Sequence, residues 1–159
     1  MTPRIIIGFD PGVADTGYGV IKDEGGTLTC LDYGSIRTPA KTPLPERLET
    51  IYAAVTSLLK KHKPSLVSIE QLFFSKNVTT AMAVGQARGV VLLASAQAKR
   101  PLVEFTPNQV KQSVASYGAA DKQQVQRMVK MILKLKNIPK PDDAADALAI
   151  AICGAGKQL

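Results

Sequence analysis

The sequence has few of the residues that build disulfide frameworks and thiolate metal sites. Among 159 residues there are two cysteines, one histidine and no tryptophan, and aromatic residues make up 5%. Cys30 and Cys153 lie far apart in sequence, which fits neither a zinc-ligand spacing nor a disulfide framework. We expect both to be small buried apolar side chains. The one histidine, His62, ends a predicted amphipathic helix, and we assign it no catalytic role.

Long apolar segments are also missing. Residues 77–87 and 89–98 are among the longest stretches without charge, and Arg88 separates them. Each is too short to cross a bilayer. The first residues contain no apolar region of signal-peptide length. We therefore expect a soluble, cytoplasmic protein with no membrane partner.

The composition is that of an ordinary globular chain. Apolar residues make up 45% and charged residues 21% of 17.0 kDa, which excludes a disordered protein. A chain of this length buries about 68–70% of its unfolded surface, so it needs no disulfide or structural metal to fold. We expect one domain spanning residues 1–159.

The positive charge is concentrated in one segment. The net charge is +7, and residues 99–140 hold nine Lys or Arg against two acids. The rest of the chain is neutral, with 11 residues of each sign. This clustering is typical of a surface that contacts a polyanion, and a solvated helical face explains it equally well at this point.

The N-terminal third has the β-branched pattern of strands separated by turn signals. Asp10-Pro11-Gly12 ends the first strand, and Asp23-Glu24-Gly25-Gly26 separates the second from the third. We expect an antiparallel meander of three strands. They are Arg4–Asp10, Thr16–Lys22 and Thr27–Arg37.

Helical periodicity then alternates with short apolar strands. Thr106 and Pro107 are typical of a helix start, and Asp121 with Gln124 has the spacing of a capping box. The predicted helices are Pro45–Lys63, Asn77–Ala98, one from Pro107 to near Gly118, one from Asp121 to about Lys136, and Asp143–Ala155. The predicted strands between them are Leu66–Glu70 and Leu102–Phe105. This order indicates an α/β fold, a mixed five-stranded sheet flanked by helices, with a right-handed crossover between the last two strands.

Four acids stand next to or inside apolar segments. Asp10 and Glu70 each end an apolar strand, and Asp143 and Asp146 lie three residues apart on one face of an apolar helix. Buried carboxylates without partners cost several kcal/mol, and a shared cation would compensate all four. Oxygen ligands without a His or Cys cluster favour Mg²⁺ or Mn²⁺.

Two such ions at one site are the arrangement that supports phosphodiester cleavage, because they activate water and stabilise the leaving 3′ oxygen. Each acid also has a structural explanation. Asp10 could begin a turn, Glu70 could meet solvent, Asp142 could be an N-cap, and Asp143 could complement the helix dipole. Asp146 is hardest to explain in this way. The four together favour a metal site.

These residues belong to motifs that resemble the RuvC family of bacterial Holliday-junction resolvases. The motifs cover nearly the whole chain in family order. They are Gly8-Phe9-Asp10-Pro11-Gly12, Thr16-Gly17-Tyr18-Gly19, Ile69-Glu70-Gln71-Leu72-Phe73, Gly85-Gln86-Ala87-Arg88-Gly89, Gln109-Val110-Lys111-Gln112, and the run from Asp143 to Ala149. The resemblance implies a ribonuclease-H-like fold and a homodimer. It implies paired, symmetric, metal-dependent nicks in two strands of like polarity of a four-way DNA junction, in recombination and DNA repair.

By the same resemblance, Asp10, Glu70, Asp143 and Asp146 are the catalytic ligands of two Mg²⁺ ions, for which Mn²⁺ substitutes. Helix geometry alone leaves Asp142 open, since it lies four residues before Asp146. Some family members have His at the position of Asp143.

The resemblance also implies residues that contact DNA. Lys111 and Lys122 match lysines that approach DNA and assist catalysis, and both lie in the basic segment, as does Arg127, a further DNA-binding candidate. Phe73 matches an aromatic side chain that stacks at the junction centre, and Phe74 competes for that role.

The resemblance makes the helix 77–98 the dimer contact, with packing inside one subunit as the alternative. It implies RuvA and RuvB, the branch-migration complex, as partners.

Three other functions are compatible with parts of the sequence. Asp10-Pro11-Gly12 resembles the phosphate loop of actin-like ATPases and sugar kinases, but 159 residues are too few for their second lobe. A DNA-binding module with structural acids would not explain the four carboxylates. A nuclease of the same fold that cuts RNA–DNA hybrids shares the chemistry, and only the context of Phe73 and Lys111 argues against it.

Overall fold

A mixed five-stranded sheet in the spatial order β3-β2-β1-β4-β5 forms the centre of the protein. This computed structural model describes residues 2–72, 77–115 and 118–158. The strands are β1 Arg4–Asp10, β2 Asp15–Glu24, β3 Thr27–Arg37, β4 Leu66–Glu70 and β5 Leu102–Phe105. β1, β2 and β3 pair antiparallel, whereas β1–β4 and β4–β5 are parallel pairs. The predicted meander and mixed sheet are confirmed.

Five helices flank the sheet within the described residues. They are α1 Leu44–His62, α2 Val78–Gln97, α3 Pro107–Ala115, α4 Lys122–Ile132 and α5 Asp142–Ala155. The predicted capping box at the start of α4 is confirmed, since Asp121 and Gln124 exchange hydrogen bonds of 2.8 and 2.9 Å. α4 ends four residues earlier than predicted because Lys134 takes a left-handed backbone conformation with φ of 52°.

The two faces of the sheet carry separate apolar cores. One core joins the sheet to α3, α4 and α5 around Ile6 and Leu148. The other joins it to α1 and α2 around Phe9 and Ile51. Neither cysteine is bonded; Cys153 is buried as expected, whereas Cys30 is only half-buried.

The alternation of side chains along β1 and β4 decides which residues face α5. Successive side chains of a strand point to opposite faces. Ile7, Phe9, Val67 and Ile69 belong to the core under α1 and α2. Asp10 and Glu70 follow directly, so both point to the opposite face. The parallel register pairs Phe9 with Ile69, which places the two acids side by side at the strand ends.

Glycines in β1 and β2 let the backbone of α5 lie directly on the sheet. A Cβ on Gly8 would lie 2.2 Å from the carbonyl oxygen of Ala147, and one on Gly17 would lie 2.0 Å from that of Asp143. α5 has small residues where it contacts these glycines, and Ala147 and Ala151 are fully buried. The motif glycines therefore set the distance between α5 and the strand that carries Asp10.

α2 differs from the other helices in its exposed apolar surface. By length and composition it is the one helix in the described ranges apolar enough to cross a membrane, with a mean hydropathy of 1.2. A single helix of this kind is weak evidence for a membrane protein. Arg88 lies in its middle and pairs with Glu104 of β5 at 2.5 Å, and α2 packs along α1.

The contact between β1 and α5 gives a first prediction. Gly8→Ala should lower the free energy of unfolding by about 3 kcal/mol, because the new methyl group meets immobile backbone atoms. Gly156→Ala is the matched control, since its Cβ would make only an ordinary 3.5 Å contact and should change stability by less than about 0.5 kcal/mol. Urea unfolding monitored by circular dichroism measures both. Equal midpoints for the two variants would contradict the close packing.

Candidate active site

Three elements bring the four predicted carboxylates to one edge of the sheet. Asp10 and Glu70 end the neighbouring parallel strands β1 and β4, and Asp143 and Asp146 lie in the first turns of α5. One carboxylate oxygen from each of Asp10, Asp143 and Asp146 lies within 4.8 Å of the other two. Glu70 borders the same cavity as Asp10 and Asp146. The arrangement is a carboxylate cluster on the α5 side of the sheet.

Asp10 is the most perturbed group of the cluster. Burial, followed by the charges of Asp146, Asp143 and Glu70, raises the pKa of its carboxyl group to about 8. Asp10 and Asp143 also share a hydrogen bond that raises the pKa of Asp10 and lowers that of Asp143. Without a cation, Asp10 therefore stays protonated at neutral pH, and its carboxyl group donates a hydrogen bond to the Asp143 carboxylate.

The other three carboxylates have raised pKa values as well. Burial is the largest cause for Glu70, Asp143 and Asp146. Like charges contribute next to burial at Glu70, through Asp146, and at Asp143, through Asp15. Such mutual repulsion is the signature of groups assembled to hold a cation or a proton.

Asp142 is not part of this cluster. It begins α5, but Pro141 occupies the cap position and no side chain caps the helix, so the N-cap suggested for Asp142 is wrong. Its exposed carboxylate accepts a hydrogen bond from Lys140 at 3.4 Å, which with the charge of Lys122 lowers its pKa. The structure thus shows that Asp143 belongs to the carboxylate cluster and that Asp142 does not, a choice that helix geometry alone left open.

Lys111 and Lys122 enter the site from α3 and α4. Both line a cavity of about 290 Å³ whose other walls include Asp10, Glu70 and Asp146. The charge of Lys111 lowers the pKa of Glu70 against the effect of burial. The Nζ atom of Lys122 lies 3.6 Å from Asp146 and 3.7 Å from Asp142, and chiefly the charge of Asp146 raises the lysine pKa. The cavity combines two cations with the carboxylate cluster.

The remaining site predictions have different outcomes. Arg127 is exposed on α4 and does not line the cavity, so its contact with DNA stays a prediction. Phe73 and Phe74 both lie outside the described residues.

Arg88 is a residue near the site to which sequence reasoning assigned no role. It lines a second cavity of about 240 Å³ together with Asp10, Glu70 and Gln71. Its side chain is 11% exposed, and its Nη1 atom is buried without a hydrogen-bond partner. A charged residue inside an otherwise apolar helix was the available signal, but only the fold shows that this face of α2 reaches the carboxylate cluster.

The donor set fits a divalent cation bound through oxygen. Asp10, Asp143 and Asp146 supply hard oxygen ligands close enough to share one ion, and Glu70 supplies another at the edge of the same cavity. Their repulsion at close range is what a bound positive charge would offset. We find no His or Cys in this cluster of described residues, which excludes the usual zinc ligands here.

Comparison with known proteins agrees with this arrangement. The family model described as "Crossover junction endodeoxyribonuclease RuvC" matches residues 6–154. Proteins of that name from Desulfitobacterium hafniense and Rubrobacter xylanophilus are 58% and 53% identical over 151 and 154 residues. These alignments cover 95% and 97% of this chain, and 92% and 86% of the relatives.

Solved structures show the same fold. Thermus thermophilus RuvC "in complex with Holliday junction substrate" is 38% identical with a TM-score of 0.91, and the match covers 96% of this chain and 93% of that one. The yeast mitochondrial Holliday junction resolvase Ydc2 has a TM-score of 0.66 at 15% identity, over 94% and 78% of the two chains, so it supports the fold alone. The predicted ribonuclease-H-like fold is thereby confirmed. The chain belongs to the RuvC family of crossover junction endodeoxyribonucleases.

Proposed function

We propose that this endonuclease resolves Holliday junctions, cutting two strands of like polarity by paired, symmetric nicks during recombination and DNA repair. The observation that carries the proposal is the cluster of Asp10, Asp143 and Asp146, with Glu70 and two lysines in the wall of the adjoining cavity. Acids alone would repel the phosphates of DNA. Together with Lys111 and Lys122 they form a site for a cation and a phosphodiester.

In this proposal the four carboxylates hold two Mg²⁺ ions, and Mn²⁺ replaces them. When bound, the ions supply the charge that lowers the pKa of water and stabilises the departing 3′ oxygen. The protein's own residues set up the reaction. Asp10 gives up the proton that it holds in the metal-free protein, and Asp146 stays fixed by its contact with Lys122.

Lys111 and Lys122 then position the phosphate. Both line the cavity and neither is fully buried, so a phosphate oxygen can reach both. The reaction adds water to phosphorus and breaks the bond to the 3′ oxygen, leaving a 3′-hydroxyl and a 5′-phosphate. Arg127, exposed on α4, extends the cationic surface beyond the cavity, and Phe73 is proposed to stack on an unpaired base at the junction centre.

The second part of the proposal is a homodimer formed through α2. Val78, Met82 and Leu93 are 62%, 61% and 53% exposed, and a Cβ on Gly89 would meet no atom within 4 Å. Met82, Gly89 and Leu93 follow the spacing of one helix face, so a partner helix can approach closely. Two subunits related by a twofold axis would present two sites to a junction that has twofold symmetry. RuvA and RuvB are the proposed partners in branch migration, and the cytoplasm is the proposed location.

Cleavage of a labelled junction tests the reaction directly. Wild-type protein should produce paired nicks in a four-way junction with Mg²⁺, leave a matched linear duplex and an RNA–DNA hybrid uncut, and lose activity in EDTA. Cleavage of the hybrid instead would favour a nuclease of different specificity. Junction binding without cleavage, in Mg²⁺ and in Mn²⁺, would indicate a binding module.

Asp146→Asn should reduce cleavage by at least about a thousandfold while junction affinity stays within a few fold of wild type, because the variant loses one ligand charge but no phosphate contact. Asp142→Asn is the matched control, one turn away on α5 and outside the cluster. It should keep cleavage within about threefold of wild type. Single-turnover cleavage and gel-shift titration measure the two effects. If the control loses activity like Asp146→Asn, the assignment of the ligands is wrong.

The protonation of Asp10 makes the stability of the protein depend on pH and on bound metal. Its pKa is about 8 in the folded protein, against an ordinary value of 3.8 for an unperturbed aspartate. The group therefore stabilises the fold fully below about pH 4, and that stabilisation is lost as pH rises through 8. In EDTA at pH 8, Asp10→Asn should melt at least about 3 °C above wild type.

Addition of Mg²⁺ should raise the melting temperature of wild type at pH 8 and raise it less at pH 6, where protons compete for Asp10. The Asp10→Asn variant should show little of this shift. Melting curves by differential scanning fluorimetry give both results. A variant less stable than wild type in EDTA would mean that Asp10 is not destabilised by its neighbours.

Leu93→Glu should convert the dimer to monomers, because it places a charge in the apolar face of α2. Met131→Glu is the control, since Met131 is 67% exposed on α4, on the other side of the sheet. Light scattering after size exclusion should find a monomer for the first variant and a dimer for the second. Dimers in both cases would remove α2 from the interface.

A further inference from the structure

A second cationic region lies at the end of the sheet opposite the carboxylate cluster. α1 and α2 both end there, at His62 and Gln97, just before β4 and β5 begin. Glu70 lies at the other end of β4, so the length of the strand, about 13 Å, separates the two regions. Arg100 belongs to the basic segment 99–140, and the fold therefore divides that segment between two surfaces.

A cavity of about 500 Å³ opens between the ends of α1 and α2, and we refer to it as the α1–α2 cavity. Lys60, Lys63 and Arg100 are the charged residues of its wall, and the described residues that line it include no Asp or Glu. These three cations make no ion pair within residues 2–72, 77–115 and 118–158. The described side chains of its wall therefore carry three positive charges and no carboxylate.

The wall of the cavity also contains polar atoms that the protein leaves unsatisfied. The Oγ1 atom of Thr56 and the Nε atom of Arg100 are buried without a hydrogen-bond partner. Buried donors and acceptors are nearly always paired, with protein or with ordered water, and the protein itself supplies no partner for these two atoms. The guanidinium group of Arg100 is a planar cationic donor, the kind of group that binds an oxyanion in such a cavity.

The size and the floor of the cavity define the rest of the ligand. Leu59 and Ala94, each 2% exposed, form an apolar floor, and Tyr52 lies at the side. The volume falls within the range of about 300–1,000 Å³ that is typical of small-molecule sites, and it greatly exceeds a bare phosphate ion. The space fits an anionic group attached to an organic body.

We propose that the α1–α2 cavity is a second binding site, which takes a phosphate ester between Arg100, Lys60 and Lys63. The phosphate belongs either to a free nucleotide or to a DNA strand that passes this end of the subunit. The proposal does not depend on the junction-resolving activity, because none of its residues belongs to the carboxylate cluster or its cavity.

The first experiment titrates deoxyadenosine 5′-monophosphate into wild-type protein in EDTA, which prevents metal-mediated binding at the carboxylates. Deoxyadenosine is the neutral control, and amide chemical shifts locate the binding. We expect saturable binding with shifts around Thr56 and Arg100, and none with the nucleoside. Arg100→Gln and Lys63→Gln should each weaken binding by about tenfold, as the loss of a charged hydrogen bond predicts.

Lys134→Gln is the matched control for Lys63→Gln. Both lysines are exposed, follow the end of a helix and have left-handed backbones with φ of 52° and 46°, but Lys134 lies on the other side of the sheet. Lys134→Gln should bind the nucleotide like wild type. With protein at a saturating concentration, the single-turnover rate of nicking should be unchanged in Lys63→Gln, which separates the result from any failure of the proposed function.

The second experiment distinguishes the source of the phosphate. If the free nucleotide does not bind, junction affinity is measured against salt concentration for the same variants. A phosphate contact made by DNA should lower the slope of log K against log salt by about 1 in Lys63→Gln and not in Lys134→Gln. The proposal is overturned if neither the nucleotide nor the salt dependence responds to Arg100→Gln and Lys63→Gln, or if the nucleoside binds as well as the nucleotide.

Discussion

The close contact of α5 with β1 and β2 is the interaction on which the rest of the structure depends. Gly8 and Gly17 leave no room for a Cβ, and the backbone of α5 occupies that space at Ala147 and Asp143. The same contact closes one of the two apolar cores and brings Asp143 and Asp146 against Asp10. The packing of α5 on the sheet therefore also sets the distances within the carboxylate cluster. A helix farther from the sheet would move Asp143 and Asp146 away from Asp10.

The carboxylate cluster is held together at a cost in free energy. Burial, followed by the charges of its neighbours, raises the pKa of Asp10 to about 8, and burial is also the largest cause of the raised pKa values of Glu70, Asp143 and Asp146. Lys111 and Lys122 offset part of this repulsion. Burial and like charge oppose the ionisation of these groups, which is expected of acids that are proposed to hold cations.

Cations surround two separate cavities of the molecule. Lys111 and Lys122 face the carboxylates, Arg127 lies beyond them on α4, and Lys60, Lys63 and Arg100 surround a cavity at the far end of the sheet. α2 connects the two ends. Its inner face carries Arg88, which lines a cavity with Asp10 and Glu70, and its outer face presents Met82 and Leu93 to solvent. One helix therefore borders the carboxylate cluster and supplies the proposed dimer contact.

The sequence by itself determined most of the helices and strands and the candidate carboxylates. Apolar periodicity and cap residues predicted the strands, the helix starts and the capping box at Asp121, since these depend on neighbours in the chain. Strand ends and the apolar helix pointed to Asp10, Glu70 and Asp146, and the resemblance to the RuvC family selected Asp143 over Asp142. Only the tertiary structure shows that Asp142 lies outside the carboxylate cluster and that Arg88 lies beside it. Only the tertiary structure places Arg100 at the opposite end of the sheet. Those outcomes depend on which faces pack together, and contacts between residues distant in sequence leave no local pattern to read.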